Sequence, residues 1–282
     1  MRKITALLCL FVLAFATHSA AGQKDGLLRV YFLDVGQGDA ELIITPNGHT
    51  ILIDGGPDDS VLSTLGRLLP FYEKEIDVVI ATHPHADHIS GLIHILNRYE
   101  VHHIIEARES YESGEFLAWR EAVQNEKANN IEALAGTVIE LGVETRLTII
   151  HPDKSHAGAS LKNPHDANVT AVFTYQDIDI LFTGDMEADI ERELIREGVA
   201  IEAEILKIGH HGSKTSTSPE FLEAVNPQAA FIEVGAKNRY GLPYLGVLRR
   251  LEQFGIPYYR TDEYGTVELI SDGREFQIIP SG

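Results

Sequence analysis

The sequence predicts a single α/β domain in which sheets pack against each other with helices outside. Three observations carry that reading. Short apolar or alternating runs recur along the chain, interleaved with segments of helical periodicity. The 282 residues are 44% hydrophobic, enough for one large core. No short-period repeat, low-complexity tract or linker divides them. Leu27 to Val35 alternates and is β-branched, so it reads as a strand, and Gly36-Gln37-Gly38 turns the chain. Strands at Glu41 to Thr45 and Thr50 to Ile53 flank the hairpin turn Pro46-Asn47-Gly48. Helical spacing follows from Val61 to Phe71, then an apolar strand, Ile76 to Ala81. Ser90 to Tyr99 reads as a helix, Val101 to Glu106 as a strand, and Glu115 to Glu126 as a polar helix. Strands are expected at Thr137 to Glu140 and Thr145 to Ile150, a loop at Ser155 to Ala167, and strands at Val169 to Tyr175 and Ile178 to Thr183. The second half then alternates: helix Glu187 to Glu197, strand Glu204 to Ile208, helix Pro219 to Ala224, strand Ala229 to Val234, helix Leu245 to Phe254. Strands near Pro257 to Arg260, Thr266 to Ile270 and Phe276 to Ile279 close the chain.

The N-terminus reads as a secretory leader, residues 1–21, followed by one domain, residues 22–282. Arg2 and Lys3 precede an apolar run from Ile4 to Ala16, too short for a membrane span, and Ser19 and Ala21 supply small residues before a cleavage site at Gly22. An uncleaved leader would instead anchor the protein. Either way the protein is expected outside the cytoplasm, secreted or periplasmic, and no later stretch is apolar enough to form a transmembrane channel. The single cysteine, Cys9, falls inside the leader, so any metal site must use His and carboxylates rather than thiolates. The net charge is −19; removing the leader takes away two cations and no acid, leaving −21. A surface that acidic repels polyanions at long range.

The densest chemistry is Thr82-His83-Pro84-His85-Ala86-Asp87-His88, directly after an apolar strand. Imidazole and carboxylate together suit zinc, manganese or iron. In an extended segment, side chains two apart point the same way, so His83 and His85 can share one ion. Asp87 and His88 fall where the chain turns and can reach a second. Asp185 projects from the strand end Leu181-Phe182-Thr183-Gly184, where it is either a ligand or a helix cap. His210 and His211 follow another apolar strand; adjacent side chains there point to opposite sides, so one is expected as a ligand and the other as a contact behind the ligands or to substrate. His165 is a further ligand candidate in its loop, whereas His94, His102 and His103 read as surface or packing residues.

The ordered set Asp54, His83-x-His85-x-Asp87-His88, His165, Asp185 and His210-His211 resembles the motifs of the metallo-β-lactamase fold superfamily. The phrases Phe32-Leu33-Asp34-Val35-Gly36-Gln37-Gly38-Asp39-Ala40, Phe182-Thr183-Gly184-Asp185-Met186-Glu187 and Leu206-Lys207-Ile208-Gly209-His210-His211-Gly212-Ser213 are similar to the hydrolase domain of ComEC competence proteins and their free-standing relatives. The resemblance runs from about Leu27 to Ile279. It implies an αββα four-layer sandwich with two divalent ions, zinc first and manganese or iron as alternatives, at one edge of the sheets. By position, His83, His85 and His165 hold one ion, and Asp87, His88 and one of His210 or His211 the other. Asp185 bridges them, and Asp54 orients ligands from behind. Asp54, Asp87 and Asp185 are thus the carboxylates assigned to catalysis. The activity implied is metal-dependent hydrolysis by a water the two ions activate, most readily of a phosphodiester such as a nucleotide or DNA.

Two departures from the family pattern matter. Relatives often carry Asn where His165 stands and Ser where Asn168 stands; His165 is the stronger ligand, and without it the centre would be mononuclear. They usually carry His where Leu242 stands, and Leu can neither move a proton nor bind phosphate. Ser213, Lys214 and Arg239 remain as candidate substrate contacts. Two other functions stay open at this point: a non-catalytic metal-binding module of the same fold, and a lactonase or β-lactamase-like hydrolase.

Overall fold

The structure, a computed structural model, describes residues 12–14 and 25–281. In chain order its elements are β1 (Val12–Ala14), β2 (Leu28–Phe32), β3 (Glu41–Ile44), β4 (Thr50–Ile53), α1 (Ser60–Leu68), β5 (Glu75–Ala81), α2 (Ala86–Leu96), β6 (Glu100–Glu106), α3 (Gly114–Asn125), β7 (Asn129–Glu132), β8 (Val138–Glu140) and β9 (Thr145–His151). A 3₁₀ turn (Pro164–Ala167) leads to β10 (Thr170–Tyr175), β11 (Ile178–Phe182), α4 (Ala188–Glu197), β12 (Ile205–Lys207), a second tight turn (Gly209–Gly212), α5 (Pro219–Val225), β13 (Ala229–Ile232), α6 (Leu245–Phe254), β14 (Tyr258–Arg260), α7 (Thr261–Tyr264), β15 (Val267–Ser271) and β16 (Phe276–Pro280).

The strands form two eight-stranded mixed sheets, ordered β16-β15-β2-β3-β4-β5-β6-β7 and β1-β8-β9-β10-β11-β12-β13-β14. Each has an antiparallel part and a parallel part, the latter built by strand–helix–strand crossovers through α1, α2 and α3 in one and α4, α5 and α6 in the other. Period-two alternation decides which side chain enters which layer. In β4, Ile51 and Ile53 enter the layer between the sheets while Leu52 faces the helices. In β13, Ala229 and Phe231 face inward and Ala230 and Ile232 outward. Phe32 and Phe231 stack across the inner layer with centroids 3.8 Å apart. Helices α1, α2 and α3 cover one outer face and α4, α5 and α6 the other, giving the αββα sandwich that the resemblance implied.

Some boundaries moved for physical reasons. The first strand stops at Phe32, because Leu33 to Val35 leave the ladder toward the glycine turn. Helix α1 stops at Leu68, since Pro70 cannot continue it, and Phe71 is exposed. Helix α2 starts at Ala86, four residues before the expected Ser90, with extended His85 as its cap and Asp87 in its first turn. β7 and α7 carried too little apolar periodicity to be seen. Of the expected leader, Val12–Ala14 pairs in parallel with β8; the rest of the run from Ile4 to Ala16 lies outside the described residues. No helix among the described residues is long and apolar enough to cross a membrane.

Candidate metal centre

The parallel strands of both sheets run toward one edge, and the segments leaving β4, β5, β11 and β12 carry the site. After β5 the chain bends at His83 and Pro84 and is extended again at His85, and His83 Nε2 and His85 Nδ1 face each other at 2.9 Å. The early start of α2 then places Asp87 and His88 in its first turn, with the His88 ring 4.2 Å from the His83 ring and Asp87 toward His211. Close packing holds that helix: a Cβ on Gly91 would lie 1.8 Å from the Gly55 carbonyl oxygen, so only glycine lets α2 approach the loop after β4. His165 sits in the 3₁₀ turn, where the Asn163 side chain accepts its backbone N–H at 3.3 Å. Its Nε2 lies 3.2 Å from His85 Nδ1.

Asp185 stands between two groups of imidazoles. Its Oδ2 lies 3.7 Å from His83 Nε2, 3.8 Å from His165 Nε2 and 3.5 Å from His88 Nε2. Its Oδ1 lies 3.6 Å from His211 Nε2, which is 3.4 Å from Asp87 Oδ2. A tetrahedral ion with ligands at about 2.0–2.1 Å needs ligand atoms about 3.3–3.4 Å apart. The imidazole–imidazole distances, 2.9 and 3.2 Å, fall just below that value and the distances to carboxylate, 3.4 to 3.8 Å, at or just above it. His83, His85, His165 and Asp185 thus form one set that could hold an ion, and Asp87, His88 and His211 an adjoining one. His88 Nε2, His211 Nε2 and Asp185 Oδ1 are buried with no hydrogen-bond partner among the described residues. Buried polar atoms are normally paired, and a cation would pair these three, so the residues fit a two-ion centre.

Of the two adjacent histidines, His211 is buried in the second set. His210 is partly exposed in the cleft, its Nε2 3.7 Å from Asp185 Oδ2 and its Nδ1 3.5 Å from Glu187 Oε1. Both adopt positive φ, 50° and 52°, so a left-handed turn rather than strand alternation parts their rings. Asp54 also has positive φ, 55°, and is fully buried. It accepts the Thr82 backbone N–H at 2.9 Å and the Thr82 hydroxyl at 2.6 Å, and lies 2.7 Å from His88 Nδ1. With Nδ1 held there, His88 Nε2 faces Asp185. His94, His102 and His103 lie away from the centre, on α2 and β6.

Burial pushes His83 and His85 below the ordinary imidazole range, with charge on His88 adding to the effect. Burial likewise brings His165 down to about 4. These three are neutral and offer lone pairs at neutral pH. For His88 and His211 burial works the same way but is outweighed. Asp185 and Asp54 raise His88 well above its usual value, and Asp185 and Asp39 bring His211 to about 10. Burial would raise Asp185, yet the His211 and His88 charges hold it well below the carboxylate range. The carboxylates thus favour positive charge at the second set.

The set opens onto a cleft of about 430 Å³ lined by Gln37, Asp87, His210, Ser213, Tyr240 and Leu242, among others. Of the expected substrate contacts, Ser213 lines it. Lys214 and Arg239 are exposed outside the lining, Arg239 lying 5.2 Å over the Tyr240 ring. Leu242 makes part of the wall apolar.

The metallo-beta-lactamase superfamily profile matches residues 33–232. The chain belongs to the metallo-beta-lactamase superfamily. This superfamily of metal-dependent hydrolases accounts for the order of the ligand motifs and for the four layers. The chain is 28% identical to ComE operon protein 3 of Bacillus subtilis, over 94% of this chain and 34% of that protein. It is 29% identical to recombination protein 2 of Haemophilus influenzae, over 93% and 31% respectively. It therefore spans about a third of these curated relatives. Among solved structures, CmlA, a diiron beta-hydroxylase from Streptomyces venezuelae, superposes with TM-score 0.51 at 14% identity over 83% of this chain and 52% of that one, a likeness of fold.

Sequence reasoning gave no role to four residues that frame this superfamily centre. Asn168 is fully buried; its Oδ1 accepts the Asp185 backbone N–H at 2.9 Å and its Nδ2 donates to the Thr183 carbonyl at 2.8 Å, clipping the turn that presents Asp185. Asp39, Lys207 and Glu233 are also fully buried. Their signal was present: charged residues at the ends of otherwise apolar strands, which have to be paired when buried.

Proposed function

We propose that this protein is a phosphodiesterase of the superfamily, acting outside the cytoplasm with two divalent ions, zinc first, on a nucleotide, nucleic acid or related phosphodiester. The observation that carries the reading is the pair of adjoining His/carboxylate sets sharing Asp185. Bound ions would supply Lewis-acid activation of water and of the scissile phosphorus–oxygen bond. His83, His85 and His165 would hold one ion, Asp87, His88 and His211 the other, and Asp185 would serve both. Asp54 would keep His88 in its ligating tautomer. His210 and Ser213, which face the cleft, would contact the substrate phosphate, and Lys214 and Arg239 would draw the anion toward an otherwise acidic molecule. The relative named recombination protein 2 supports a nucleic-acid substrate.

The test is a chromogenic panel, bis(p-nitrophenyl) phosphate, a cephalosporin and a lactone, given to protein loaded with zinc or manganese. Turnover of the phosphodiester, lost in His85→Ala, is expected. Turnover of the cephalosporin or lactone alone would replace this reading with the lactonase or β-lactamase one. No turnover by a two-ion protein on an extended nucleotide panel would leave a metal-binding module.

A further inference from the structure

Behind the second ligand set lies a buried ionic cluster that the hydrolytic reading leaves unused. Lys207 ends the short strand β12 beside Ile205 and Leu206, and its side chain is fully buried. Its Nζ pairs with Asp39 and donates to the Gly184 carbonyl at 3.3 Å. Asp39 Oδ1 lies 3.0 Å from His211 Nδ1, the nitrogen that also faces the Glu233 carbonyl oxygen at 3.0 Å. Asp39 Oδ2 is 3.9 Å from His88 Nδ1. Carboxylates of Glu41 and Glu233, both buried, stand within 4.8 Å of Asp39. Burial works against charge on Lys207, yet Asp39, Glu41 and Glu233 hold its pKa above the usual lysine value.

Replacing a buried ion pair as a whole by neutral side chains is often neutral for stability, whereas removing Lys207 alone leaves the Asp39 charge buried and unpaired, so stability by itself does not call for the pair. What Lys207 does is join two structures at the centre. Through Asp39 it sets the His211 ring, whose backbone sits in a left-handed conformation that needs outside support. Through Gly184 it touches the turn that presents Asp185. We propose that Asp39 and Lys207 are a positioning pair for the second ion: the Asp39 carboxylate stands 3.0 Å from His211 Nδ1, beside the Glu233 carbonyl that takes its N–H, and so keeps the protonated nitrogen inward and Nε2 toward Asp87 and Asp185, while Lys207 holds Asp39 in place. This rests on the two-ion reading above.

The experiment measures both zinc affinities by chelator competition, and the visible spectrum of the cobalt(II) protein, for wild type, Asp39→Asn, Lys207→Met and the double variant. Wild type binds two ions. In Asp39→Asn and Lys207→Met the second affinity falls by about 10–100-fold, the first is unchanged, and the cobalt bands shift. Two ions in wild type with unchanged second-ion affinity and cobalt bands in the variants would overturn the positioning pair alone, even if melting temperature drops. Fewer than two ions in wild type would overturn the two-ion reading and this proposal with it. Should the single variants fail to fold, the double variant removes both charges together and decides: a weakened second ion supports the pair, an unchanged one overturns it.

Discussion

The two ligand sets differ in what stands behind them. His83 and His85 come from the short bent segment between β5 and α2, and His165 joins them from a capped turn. Behind His83 stands the Thr82 hydroxyl, 3.1 Å from Nδ1, and behind His165 the partly exposed Glu187 carboxylate at 3.7 Å; burial outweighs it and keeps all three imidazoles uncharged. His88 and His211 are each backed by a buried carboxylate, Asp54 and Asp39, and face Asp185 across the centre. Carboxylates on both sides favour positive charge there. The first set is therefore preformed for an ion in its neutral state, whereas the second must exchange protons for one.

Removing the shared residue tests the comparison most severely. Asp185→Asn should lose both ions together and lower hydrolysis by on the order of 10²–10³-fold, read by metal analysis and initial rates. Retention of one ion would show that Asp185 serves a single set. The pH dependence separates the sets next. His88 and His211 have raised pKa values, that of His211 about 10, so each stays protonated through neutral pH and must release its proton to bind an ion. Second-ion affinity should then rise with pH, by up to about 100-fold from pH 7 to 8 if both protons leave. The first set, with pKa values below the ordinary imidazole range, is already deprotonated at pH 7, so its affinity should stay flat there. Competition titrations at pH 7 and 8 check this, and equal slopes would erase the distinction.

Smaller effects sharpen the same picture. Asp54→Asn should weaken the second ion by about 10–100-fold and spare the first, measured by calorimetry. Asn168→Ala leaves the Asp185 turn without its clip and should destabilise the fold by about 1–3 kcal/mol in urea unfolding. Lys214→Ala and Arg239→Ala, both at exposed positions, should raise the KM for a phosphodiester only a few-fold, an effect that shrinks as salt is added.

Much of this candidate centre was legible beforehand because its His and Asp residues cluster just past strand ends, although bends at His83 and Pro84, rather than period-two alternation, bring His83 to His85. The choice between His210 and His211 was not legible. Strand alternation was the wrong rule for a pair in a left-handed turn, and only the fold shows that His211 is the one packed against Asp87. Lys214 and Arg239, candidate phosphate contacts in the sequence, are exposed beside the lining of the cleft.

The sequence by itself determined the layers and the ligand types. Alternating and helical periodicities dictate which faces are buried, and the near absence of cysteine restricts metal chemistry to imidazole and carboxylate. Tertiary structure alone decided which of His210 and His211 joins the second set and what stands behind each set, because both depend on a left-handed turn after β12 and on contacts between residues far apart in the chain. The Asp39–Lys207 pair joins residues 168 positions apart. Such a pairing follows from the stacking of two sheets, and no local pattern encodes it.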